Sequence, residues 1–72
     1  MTEVIKVEPM GQAWAVSQGV IENPQIFKSG AKAEDAAISL GLRLAGAGRH
    51  TEILVYLRDG ALGGRYVYPA RI

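Results

Sequence analysis

Residues 36–48 read AAISLGLRLAGAG, and with the residues just before them they carry the one sustained helical period in the chain. At about 100° of rotation per residue, Ala33, Ala36, Ala37, Leu40, Leu44 and Ala47 fall in a stripe within roughly 60° of Ala33. That stripe is the expected sheet-facing side, and its alanines let the helix sit close. Ile38, Leu42 and Ala45 fall roughly 120–180° away, with Lys32, Ser39 and Arg43 forming a narrow polar strip between. A helix on a single-layer sheet has one face to bury. Ile38, Leu42 and Ala45 are therefore the candidate contact residues for a neighbour.

The helix ends are written locally. Ser29 offers a hydroxyl as N-cap, and Glu34 and Asp35 stand in the early turns, where carboxylates complement the positive end of the helix dipole. The sequence GAG at 46–48 and Arg49 close it, with glycine free to take the left-handed cap conformation. The spacing predicts a helix over about residues 31–46.

Around it the period changes to two. EVIKVE (3–8) puts Ile5 and Val7 on one side and Val4, Lys6 and Glu8 on the other, as in a half-buried strand. PMGQ (9–12) breaks it, and AWAVSQ (13–18) resumes with Trp14 and Val16 inward, so the two read as a hairpin. GVIENP (19–24) is rich in turn residues, and QIFK (25–28) reads as a short third strand. TEILVYLR (51–58) is apolar on both faces, as a central strand should be. Asp59-Gly60 suggests a type I′ turn, and ALGGRYVYP (61–69) returns as the last strand. These elements predict one α+β domain over residues 1–72. It has two layers, an antiparallel sheet of four to five strands with one helix packed on one face, in the order β-β-(β)-α-β-β.

Composition narrows the function classes. The chain has 72 residues, 49% of them hydrophobic and 21% charged, with no cysteine. That is enough for one small core, without disulfides or thiolate metal sites to support it. The start, MTEVIKVEP, has no apolar run, and no stretch approaches the ~20 apolar residues of a spanning helix. A cytoplasmic protein without a membrane partner is expected. Residues 1–36 hold three lysines against five carboxylates, and residues 37–72 five arginines against two. The resulting +1 net charge reads as an ordinary solvated surface.

Catalytic and cofactor signatures are missing. His50 is the only histidine, and one histidine without cysteine makes a poor metal site. Ser17, Ser29 and Ser39 have no base near them in sequence. Adjacent Glu34 and Asp35 point to different sides of a helix. GAG ends a helix where a dinucleotide fingerprint would begin one, and GALGG lacks the lysine of a phosphate loop. No enzyme, cofactor or metal is expected.

Two surfaces remain. Burying Ile38 and Leu42 is worth roughly 1.5–3 kcal/mol each. In a two-fold pair that gives on the order of 6–12 kcal/mol against an association cost of about 4–15 kcal/mol, so a homodimer through this ridge needs further contacts. The alternative is that the tail PARI (69–72) covers the ridge within one chain. The second surface is the last hairpin. With Asp59 and Gly60 as the turn, Leu54 pairs with Arg65, Tyr56 with Gly63 and Arg58 with Ala61. Ile53, Val55, Leu57, Leu62, Tyr66 and Tyr68 then face the core, unless Gly63-Gly64 forms a bulge and shifts the register. Tyr56, Arg58 and Arg65 share the outer face, and aromatic and guanidinium groups interleaved on a sheet suit single-stranded nucleic acid.

The pattern of WAV (14–16), KAEDAAISLGLRLAG (32–46), TEILVYLRDG (51–60) and YVYP (66–69) resembles a family of short bacterial domains of unknown function, numbered 2188 among such families. The resemblance spans most of the chain and implies a small α+β domain without an established activity. In element order the chain is also similar to antitoxin-type domains with a strand–strand–strand–helix–strand core, which implies docking on another protein such as a toxin. The leading expectation is a small non-enzymatic domain that self-associates through Ile38, Leu42 and Ala45. The alternatives are nucleic-acid binding through Tyr56, Arg58 and Arg65, or an antitoxin-like partner role.

Overall fold

The computed structural model describes residues 2–19 and 24–71, so most of the turn expected at 19–24 lies outside the described residues. The elements are β1 (Thr2–Met10), β2 (Ala13–Gln18), β3 (Gln25–Phe27), α1 (Gly30–Gly46), β4 (His50–Tyr56) and β5 (Leu62–Tyr68). They build the expected two-layer α+β fold. Five strands form one sheet in the order β3-β2-β1-β4-β5, and α1 packs on one face of it.

The sheet is mixed, which corrects the antiparallel expectation. β1 and β4 pair in parallel, while β1–β2, β2–β3 and β4–β5 are antiparallel. Two reversals leave β3 running in the same direction as β1. The helix then carries the chain back, so β4 enters along that direction and slots beside β1. Parallel neighbours need a long connection, and α1 supplies it.

The core sits between α1 and the two central strands. Ile5 and Val7 of β1, Val16 of β2, Ile53 of β4, and Ala33 and Ala37 of α1 form one buried cluster. Trp14, Phe27, Leu40, Leu44, Tyr66 and Tyr68 are partly buried around it. Alternation in EVIKVE is thus realised, with Ile5 and Val7 both fully buried. Each such burial is worth roughly 1.5–3 kcal/mol.

Both helix caps follow the sequence. The Ser29 hydroxyl accepts a hydrogen bond from the Lys32 amide at 3.1 Å. At the other end Gly48 has φ +87°. Its amide donates to the Ala45 carbonyl at 3.0 Å, and the Arg49 amide donates to the Leu44 carbonyl at 3.0 Å. That pair of bonds is a Schellman closure.

The buried stripe of α1, however, is rotated from the expected one. It runs Ala33, Ala37, Gly41, Ala45, a row of i, i+4 neighbours, whereas Ala47 is exposed and Ala36 only half-buried. The reason is the closeness of helix and sheet. A β-carbon placed on Gly41 would lie 2.9 Å from Ile53 Cδ1 and 3.2 Å from Tyr68 Cδ2. Only the smallest side chains fit beneath the axis, so Leu40 and Leu44 flank the contact line.

The last hairpin keeps the expected register by two offsetting departures. The Gly60 amide donates to the Leu57 carbonyl at 2.9 Å, and the Leu57 amide to the Ala61 carbonyl at 2.8 Å. Gly60 has φ +89°, and no other residue type has positive φ among the described residues. The connection is therefore a three-residue loop, a type I turn closed by a left-handed glycine, and not the type I′ turn expected at Asp59-Gly60. Tyr56 pairs with Leu62, and the register then shifts before Val55 meets Gly64, leaving Gly63 as an extra residue. The bulge restores the Leu54–Arg65 pair but turns Leu62 to the outer face, where it is 53% exposed. Leu57, also expected inward, lies past the end of β4 and is exposed.

Candidate interaction surfaces

The helix ridge does not exist as one surface. Ala45 is 2% exposed, and its carbonyl also accepts the Arg71 amide at 2.9 Å. Its place in the buried stripe turns Ala45 away from the outer side, and the tail folds back onto the end of α1 beside it. Ile38 is half-buried and packs against the core, on the flank that the rotation of the stripe brings toward the sheet. Of the three, Leu42 alone stays on the outer side, 47% exposed.

The second set is also divided. Arg58 reaches across the end of the sheet, where Nη1 donates to the Gly11 carbonyl at 3.0 Å. Its guanidinium carbon lies 5.1 Å from the centroid of the Trp14 ring, within cation–π range. Trp14 is on the helix side, against Gly30, so Arg58 leaves the face shared by Tyr56 and Arg65. Arg65 Nε donates to Glu52 Oε1 at 2.9 Å. This hydrogen bond, joined by the opposite charge of Arg65, holds the Glu52 carboxyl below its ordinary value, and the same contact raises Arg65. Tyr56, Arg58 and Arg65 do not form a continuous stacking platform.

What the structure does bring together is the sheet face opposite α1. In the β1–β4 register, Val4 lies beside Glu52 and Lys6 beside Leu54, with Glu8 one step further on beside Tyr56. Read across the strands, one row is Ile26, Ala15, Glu8, Tyr56, Leu62, the next is Ser17, Lys6, Leu54, Arg65, and the third is Val4, Glu52, Val67. Charge changes sign from row to row: Glu8 in the first, Lys6 and Arg65 in the second, Glu52 in the third. Between these charges the face is apolar. Ile26, Leu62 and Val67 are 53%, 53% and 40% exposed, and Met10 continues the face at 50%. No described element covers it.

On the helix side, a groove of about 580 Å³ runs between α1 and the β2–β3 edge. Val16, Phe27, Ala36 and Leu40 line its floor, and Gln18, Gln25, Ser39 and Arg43 its rim. Sequence reasoning missed this groove because Phe27 and Leu40 read equally well as core. At the opposite flank of α1 the Tyr66 hydroxyl donates to Glu34 Oε1 at 2.6 Å. That bond, together with the negative charge of Glu34, raises the Tyr66 phenol above its ordinary value. The contact ties the start of α1 to β5.

Among the described residues, no group of three histidine, cysteine, aspartate or glutamate side chains is placed to hold a metal ion. No helix among the described residues is long and apolar enough to cross a membrane. Comparison with known protein families, curated proteins and solved structures gives no match.

Proposed function

We propose that this chain is a non-enzymatic interaction module that pairs with a second copy of itself through the open face of its sheet. The observation that carries this reading is the change of charge sign between successive rows on an otherwise apolar, uncovered face. A copy turned over about an axis perpendicular to the strands, passing between the first and second rows, sets Lys6 opposite Glu8 and Leu54 opposite Tyr56, while Arg65 and Glu52 stay paired within each copy. A face that complements itself in this way is what a two-fold dimer requires. Leu54 and Tyr56 lie at its centre, where contact energy concentrates.

The size of the face sets the strength. Four strands spaced about 4.8 Å apart, with six residues of about 3.3 Å along each, give about 380 Å², and the three-residue β3 adds about 50 Å². That is about 430 Å² per copy, or about 860 Å² for the pair, below the roughly 1,000 Å² of stable specific interfaces. A reversible dimer with a Kd on the order of 10 µM is the expected result.

Sedimentation from about 1 µM to about 1 mM tests this. The wild type should pass from monomer to dimer, while Leu54→Glu and Val67→Lys remain monomeric with unchanged far-ultraviolet circular dichroism. Leu42→Glu should behave as the wild type. A monomer at every concentration, or a dimer broken by Leu42→Glu and not by the two sheet variants, refutes the reading.

A further inference from the structure

We propose that the groove between α1 and the β2–β3 edge binds a small amphipathic anion, an acyl carboxylate of medium chain length. The groove opens on the helix side of the sheet and shares only Ser17 with the dimer face, so this site does not depend on self-association.

The lining is sorted by polarity along the groove axis. Trp14 lies against Gly30, and Ile53 against Gly41, so α1 runs from the Trp14 level of the sheet to the Ile53 level. Phe27 pairs with Trp14 and therefore lies at the early end, near Ala36. Gln18 pairs with Ile5, which in turn pairs with Ile53, so it lies at the late end, near Arg43. One end is then aromatic with Phe27, the other carries a guanidinium with amide and hydroxyl groups beside it, and Val16, Ala36 and Leu40 line the length between. A ligand that fits has a charged head and an apolar tail.

The sign of the head follows from Arg43, which is exposed and has no carboxylate within ion-pair distance among the described residues. The nearby carboxylate, Glu3, is held by the Gln18 amide at 3.1 Å and by Arg49 at 3.6 Å. Its charge is thus partly offset from behind. A guanidinium binds a carboxylate through two parallel N–H donors, and Ser39, one turn earlier on α1, adds a hydroxyl.

The length of the tail follows from the helix. Ala36 and Arg43 are seven residues apart, about 10 Å along the axis. An extended eight-carbon acyl chain is also roughly 10 Å long, with bonds of about 1.5 Å. A volume of about 580 Å³ lies within the roughly 300–1,000 Å³ usual for small-molecule sites.

The probe is octanoate, with butyrate (head without tail) and octanol (tail without head) as controls, each titrated into the ¹⁵N-labelled full chain. Octanoate should shift the amides of residues 16–18, 25–27 and 36–43 saturably, and both controls should bind at least about tenfold more weakly. Arg43→Gln should weaken octanoate about tenfold and leave octanol unchanged. Arg43 stands in the last turn of α1, where its charge also offsets the helix dipole. The variant's urea midpoint reports that separate effect. Ala36→Leu, which fills the groove with a good helix former, should abolish binding. The proposal is overturned if octanoate gives no saturable shift or shifts centred elsewhere, or if its affinity is indifferent to both substitutions.

Discussion

Replacing Gly41 by alanine tests the close approach of helix and sheet. In an ordinary helix interior the exchange stabilises by about 1 kcal/mol, because alanine loses less backbone freedom on folding. Here the new methyl would lie 2.9 Å from Ile53 Cδ1 and 3.5 Å from Ile53 Cγ1. Ile53 is fully buried, so its side chain has no free space to retreat into, and overpacking of this kind costs about 1–3 kcal/mol. The net expectation is a loss of about 1 kcal/mol, roughly a 1 M fall in urea midpoint for a chain of this size. Gly46 is the internal control, since a β-carbon there meets nothing within 4 Å, and Gly46→Ala should stabilise by about 0.5–1 kcal/mol. Ile53→Val alone should cost about 0.5–1.5 kcal/mol. Because it removes the very carbon that the new methyl at position 41 would strike, the double variant should lose less than the sum, with a favourable coupling of about 1 kcal/mol. The assay is urea unfolding followed by circular dichroism at one fixed protein concentration, since dimerisation would otherwise shift the midpoint. If Gly41→Ala stabilises as much as Gly46→Ala, and the cycle shows no coupling, the helix does not lie this close to β4.

Two further outcomes follow from the helix ends. Ser29→Ala removes the acceptor of the Lys32 amide and should cost about 1 kcal/mol in the same urea assay, with Ser29→Asp close to neutral. The Tyr66–Glu34 hydrogen bond needs a protonated phenol, so the raised Tyr66 pKa stabilises the fold fully below the ordinary tyrosine value near 10.0. This contribution is lost as pH rises through the higher folded value. Ultraviolet titration of the phenolate should show Tyr66 ionising above the ordinary tyrosine value near 10.0, and Glu34→Gln should bring it back toward that value.

Local signals in the sequence translated directly into structure. Ser29 and Gly48 act through bonds to residues three or four positions away, and the alternation of EVIKVE places Ile5 and Val7 without reference to any other element. What the sequence obscured is non-local. Ranking helix positions by hydrophobicity favoured Leu40 and Leu44 over Gly41 and Ala45, whereas the distance between helix and sheet favours the smallest residues at the contact line. Ala45 thus moved from the outer face to the core. The parallel β1–β4 pair depends on where the helix returns the chain, which no local pattern records. In the last hairpin, a loop one residue longer than expected and an extra residue at Gly63 offset each other. The Leu54–Arg65 pair was legible for that reason, and the side taken by Leu62 was not. Arg58 was assigned to the outer face by alternation, but it sits beyond the last paired residue of β4, where the strand no longer constrains its direction.

The parallel pairing of β1 with β4 also orders events in time. The first strand borders on one side a partner that follows within a few residues and on the other a partner some fifty positions downstream. During synthesis the opening hairpin therefore waits, one flank unpaired, until residues 50–56 emerge. A fragment ending before His50 would lack Ile53 and so the middle of the core, and pairings this distant in sequence slow folding. A fragment of residues 2–49 is accordingly expected to give no cooperative unfolding transition, because it lacks the strand that completes the middle of the sheet.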